Sequence, residues 1–135
     1  MNDRYLLDTN TISYAASGRS PAALRRLTAH QPGQILVSCI SYAEIWYGLR
    51  RRPDAIRLEQ ATSALLAEVD AVPWTTDTAV IYADLRAAME RQGKSLAPLD
   101  LLIAAHALET GATLVSSDRA FRHVPGLTVE DWTVG

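Results

Sequence analysis

The sequence predicts an α/β domain, a three-layer α/β/α sandwich around a central parallel sheet of four to five strands. Two patterns and their punctuation predict it. First, four short apolar runs, YLLD (5–8), QILVS (34–38), VDAVPW (69–74) and ATLVSS (112–117), do not alternate with polar residues, and a weaker fifth follows at LTVEDW (127–132). Non-alternating runs suit strands covered on both faces, as in a parallel sheet. Second, helical patterns lie between them, and right-handed crossovers put such helices on both sides of the sheet. Third, Gly93 and Gly111 stand where helices should end, and Pro98 stands where one should begin.

Taken in order, YLLD ends at Asp8, a residue able to cap a helix starting near Thr11, and PAALRRLTA reads as a further helix. After QILVS, YAEIWYGLR is helical, and Ser41 with Glu44 fits the S-x-x-E capping box. AIRLEQATSALLAEV leads to VDAVPW, and TAVIYADLRAAMERQG leads to Gly93. LDLLIAAHALETG fills the span from Pro98 to Gly111, with Asp100 in its first turn, where a helix dipole favours an acid. ATLVSS then runs into Asp118, which can turn or cap the chain before a short helix in SSDRAF. No repeat, low-complexity tract or linker interrupts the series, so residues 1–135 read as one domain.

Composition narrows the function classes. No segment approaches the ~20 apolar residues of a membrane span, and the amino terminus lacks the marks of a signal peptide, so a cytoplasmic protein with no membrane contact is expected. The one cysteine, Cys39, can neither form an internal disulfide nor make a thiolate zinc site, and reads as a small buried residue. Net charge is -2, but the first 60 residues hold eight Arg against five acids, and twelve of the thirteen basic residues are Arg. The guanidinium fork pairs bidentately with phosphate or carboxylate, which points to an anionic partner.

Ligands of open parallel sheets bind beyond the carboxyl ends of the strands. Asp8, Glu44, Asp100 and Asp118 all fall at that edge. Singly each has a capping reading. Jointly they repel, by about 4 kcal/mol for a pair ~4 Å apart at an effective dielectric near 20. Raised carboxyl pKa values or a divalent cation would relieve that repulsion. An all-oxygen, water-accessible set suits Mg²⁺ or Mn²⁺ better than zinc, and such an ion on acids suits phosphoryl chemistry, which makes a nuclease the natural inference. A Walker A loop is missing, and the only lysine is Lys94.

With these residues in view, the chain resembles the PIN-domain ribonucleases, specifically the VapC-type toxins of toxin–antitoxin pairs. The carriers are YLLDTNTISY (5–14), SCISYAEIWYGLRR (38–51), LAPLDLLIAAHALETGATLVSSDRAF (96–121) and VPGLTVEDW (124–132). The resemblance implies a metal-dependent endoribonuclease whose Mg²⁺ or Mn²⁺ is held by Asp8, Glu44, Asp100 and Asp118, with Asn10 and Ser116 in support. Where many members read Thr-Asn-Asn or Thr-Asn-Asp, this chain reads Ser116-Ser117-Asp118 and keeps the acid. The implied reaction is in-line attack by metal-activated water on a tRNA or rRNA loop, leaving 5′-phosphate and 3′-hydroxyl ends and inhibiting translation. Implied partners are a VapB-type antitoxin that occludes the acidic site, the RNA, and a second copy of the chain in a homodimer.

Other residues carry weaker readings. Arg50, Arg51 and Arg52 end the helix bearing Glu44, where cations meet the helix dipole or contact phosphate or an acidic protein. Arg86 matches a basic position of similar toxins. Tyr42 and Trp46 share a helix face and can pack in the core, line a peptide groove or stack on bases. His30, His106 and His123 have no paired ligand spacing and read as structural. A haloacid-dehalogenase-type phosphatase or receiver domain would need a lysine near a later strand, and Lys94 is poorly placed for it. A PIN scaffold that binds RNA or antitoxin without cleaving is the remaining alternative.

Overall fold

The computed structural model describes residues 3–134. Five strands, β1 (Tyr5–Leu7), β2 (Ile35–Ser38), β3 (Asp70–Val72), β4 (Thr113–Val115) and β5 (Val129–Glu130), form one sheet in the order β3-β2-β1-β4-β5, with every neighbouring pair parallel. Helices α1 (Thr9–Ser17), α2 (Pro21–Thr28), α3 (Cys39–Arg50), α4 (Ile56–Leu66), α5 (Thr76–Arg91) and α6 (Pro98–Thr110) make the crossovers. The five expected strands are all present, although the fifth pairs over two residues only.

Period-two side-chain alternation in the central strands splits the core in two. Leu7, Ile35, Val37 and Val115 point to one face and pack with Ile12, Leu27, Ile45 and Leu65 of the first four helices. Leu6, Leu36 and Leu114 point to the other and pack with Leu85, Met89, Leu101 and Ile103 of α5 and α6. Both faces of each central strand are thus apolar, which is why those runs do not alternate in sequence.

The local punctuation holds with three corrections. Pro98 opens α6, and Gly111 closes it at φ 70°, a left-handed conformation that glycine adopts without Cβ strain. The helix after β1 starts at Thr9, two residues before the expected point, with Asp8 as its cap. The Ser41–Glu44 capping box does not form. Ser38 caps α3, its hydroxyl accepting from the Ile40 N–H at 3.1 Å, so Ser41 and Glu44 lie inside the helix. Helix α3 starts straight out of β2, and the cap is therefore the last strand residue. Cys39 is half-buried, with its sulfur accepting from the Trp74 N–H.

Candidate active site at the carboxyl edge of the sheet

Strand order reverses beside β1: β2 and β3 lie to one side, β4 and β5 to the other. A crevice opens at such a reversal. Asp8 and Asp118 follow the two strands that flank it, and the Asp8 N–H is tied across it to the Val115 carbonyl at 3.1 Å. Asp100 enters from the first turn of α6 and Glu44 from the second turn of α3. Four segments distant in sequence thus deliver one carboxylate each to one edge.

Three of these side chains are held by hydrogen bonds. Asp8, 6% exposed, accepts from the Thr11 N–H at 2.8 Å through Oδ1. Glu44 accepts from the Thr9 hydroxyl at 2.8 Å through Oε1. Asp118 accepts from the Ala120 N–H at 2.9 Å through Oδ1. Capping therefore does not preclude a site role, because a carboxylate has lone pairs to spare after such a bond. Ser116, buried, accepts from the Asp118 N–H at 3.0 Å and so holds the bend that presents Asp118.

The carboxylates sense one another. Asp8 has a raised pKa, first because it is buried, with the Asp118 charge adding to the rise while bonds from Ser116 and Thr11 oppose it. Asp100 is also raised, by burial first and then by the charges of Asp118, Glu44 and Asp8. They do not, however, close to ligating separation: among the described residues no three His, Cys, Asp or Glu side chains are gathered tightly enough to grip an ion as they stand. This donor set fits Mg²⁺, which keeps several of its waters and binds through one or two carboxylates, better than an ion that demands a full protein cage.

The other expected residues fall at varied distances from this edge. Asn10 is exposed in the first turn of α1. Trp46 packs against the core beside Tyr42, with Arg50 over its ring at 5.2 Å, and Arg50 pairs with Glu59 at 3.1 Å. Arg51 lies over Tyr47 at 5.6 Å. Arg86 bonds Tyr82 and Glu90 on α5, bordering a small pocket that reaches Pro98. His106 is fully buried, one ring nitrogen 2.7 Å from the Ser38 hydroxyl, and burial lowers its pKa. Thr9 joins the candidate site through its bond to Glu44, a contact that the sequence does not mark, and only its place directly after Asp8 could flag it.

A parallel α/β domain with carboxylates from separate segments at the switch point is the class that fold and site define. Residues 5–127 match the PIN domain family. "Ribonuclease VapC2" of Haemophilus influenzae is 31% identical over 96% of this chain and 98% of its own length. "tRNA(fMet)-specific endonuclease VapC" of Shigella flexneri is 28% identical over 96% of this chain and 98% of its own. The toxin–antitoxin structure of VapBC2 from Rickettsia felis, bound to a promoter DNA fragment, superposes with a TM-score of 0.87 at 28% identity, covering 95% of this chain and 98% of that one. This chain belongs to the PIN-domain family and, within it, groups with the VapC ribonucleases.

Proposed function

We propose that the protein is a divalent-metal-dependent endoribonuclease, the toxin of a toxin–antitoxin pair, that cuts structured RNA in the cytoplasm. The observation that carries this is the delivery of Asp8, Glu44, Asp100 and Asp118 to one edge of the sheet, in a chain 31% identical to a named ribonuclease along nearly its whole length. The metal-binding acids are these four. Mg²⁺ or Mn²⁺, when bound, supplies charge to activate water and to offset the oxyanion that leaves the phosphate.

The chain's own residues organise that chemistry. Asp8, locked as a helix cap, gives a carboxylate whose position is set before any ligand arrives. Thr9 holds one Glu44 oxygen through its hydroxyl and leaves the other available to a ligand. Ser116 fixes the Asp118 loop, and Asn10 stands exposed in the first turn of α1, two residues after Asp8. The raised Asp8 and Asp100 pKa values reflect burial and neighbouring acids disfavouring their charged forms, a cost that a bound cation offsets. The partners in this reading are a VapB-type antitoxin, in keeping with the similarity to VapBC structures, and a second copy of the chain, which the family resemblance implies.

The test is to incubate antitoxin-free protein with total tRNA and rRNA in Mg²⁺, Mn²⁺ or EDTA and to map fragment ends. Cleavage in either ion to 5′-phosphate ends, absent in EDTA, is the expected result. RNA binding without cleavage in saturating Mn²⁺ would establish instead an inactive scaffold.

A further inference from the structure

A groove of about 790 Å³ runs from the acidic edge between α1, α3 and α4. Thr9 and Glu44 close its inner end, and Ile45, Leu49 and Leu58 form an apolar floor. Four guanidiniums line it: Arg19 from the α1–α2 turn, Arg51 and Arg52 past the end of α3, and Arg57 from α4. None of the four makes an ion pair among the described residues, whereas Arg50, one position away, pairs with Glu59. Two are steered by aromatic rings instead: Arg19 lies 6.0 Å from the Tyr14 ring centroid and Arg51 lies 5.6 Å from that of Tyr47.

Four unpaired cations around one groove repel one another, and an anionic ligand removes that cost. Among the described residues the only acid lining the groove is Glu44, at the end that meets the candidate site. From the ribonuclease reading above, on which this inference rests, we propose that the groove is the track for single-stranded RNA flanking the scissile phosphate, with Arg19, Arg51, Arg52 and Arg57 as its phosphate clamps. Glu44 and Arg51 are seven residues apart along α3 and its cap, a rise of about 10 Å at 1.5 Å per residue. Arg51 therefore addresses a phosphate beside the scissile one and leaves the cleavage centre to the acids. An RNA strand satisfies the arrangement because its charges repeat along its length, so a chain anchored at the acids carries further phosphates into the groove. Bidentate guanidinium forks suit those phosphates, and the apolar floor can accept base faces.

The test uses full-length protein carrying Asp8→Asn, to prevent cleavage, and a fluorescein-labelled 15-nucleotide oligouridylate titrated at several salt concentrations. Combining Arg51→Gln, Arg52→Gln and Arg57→Gln should weaken binding at least 10-fold near 0.1 M salt. It should also flatten the slope of log K against log salt by about 2, at roughly 0.7 for each single-strand phosphate that is no longer neutralised. Arg91→Gln, on the exposed last turn of α5, should leave affinity and slope unchanged. Should the triple variant melt early, each single Arg→Gln change should still lower the slope by about 0.7. An unchanged slope in the folded variants overturns the proposal. So does a triple variant that loses only a labelled oligoglutamate peptide, for then the groove takes an acidic peptide. Arginine-dependent RNA binding by a wild-type chain that cleaves nothing would keep the track and remove the nuclease reading. Cleavage unaffected by the triple variant would do the reverse.

Discussion

Asp8 combines two roles that read as alternatives in the sequence. It caps α1 and it faces the other acids from a nearly closed position. An amide caps about as well as a carboxylate, so Asp8→Asn removes charge while leaving the helix start intact. A folded-state carboxyl pKa above the unfolded one means that the native fold binds the proton more tightly. This contribution favours folding at pH below the unfolded value and is lost as pH rises through the raised one. Asp8 and Asp100 both have that sign. Metal-free Asp8→Asn should therefore melt higher than wild type at pH 7, by about 4 °C per kcal/mol of the burial and repulsion cost relieved. The gain should vanish near pH 3, and Mg²⁺ should stabilise the wild type more than the variant; calorimetry across pH checks all three. Thr9→Val should lower the cleavage rate about 10-fold with little change in melting temperature, since it frees Glu44 without opening the core. The acids are legible in sequence because strand ends and helix starts declare themselves. The Thr9–Glu44 bond, between residues 35 apart, has no such mark.

Among the elements, the junction of β2 and α3 is where local pattern and fold part company. Ser41-x-x-Glu44 has the composition of a capping box, but the strand runs into the helix without a loop, so Ser38 takes the cap. Ser38 also holds a ring nitrogen of buried His106 on α6, while the Ser41 hydroxyl is buried without a partner. Ser38→Ala should thus cost about 2 kcal/mol, from a lost cap and an orphaned imidazole. Ser41→Ala should be nearly neutral, and chemical denaturation distinguishes the two. A working capping box would give the opposite order. His106 adds a pH dependence of opposite sign to that of the acids. Its lowered pKa means stability that is present above about pH 6.5 and is lost as pH falls through the folded value.

Across the whole molecule, strand order is what turns a list of acids into a site. Short apolar runs and their helices are readable because a sheet buried on both faces leaves no alternation. The order β3-β2-β1-β4-β5 is not readable, since it depends on which side of β1 each crossover returns to. The last strand pairs over only two residues, yet Trp132 beyond it is fully buried and stacks on His30 at 5.0 Å with rings 3° apart. Trp132→Ala should cost about 3–5 kcal/mol, as large aromatic truncations in cores do, and denaturant melts would show it. Two of the groove arginines are equally hidden: Arg19 and Arg57 lie outside the helix that bears Glu44 and join its groove only because α1, α3 and α4 pack together.

Under the proposed function, cleavage depends on the four carboxylates acting together with a metal. The most direct measurement is the single-turnover RNA cleavage rate in Mn²⁺ of Asp8→Asn, Glu44→Gln, Asp100→Asn and Asp118→Asn, each checked for folding by its melting curve. Folded variants that each lose about 10²-fold or more in rate, with wild type silenced by EDTA, are the predicted result. Folded variants that cleave at the wild-type rate, or cleavage that persists in EDTA, would contradict it.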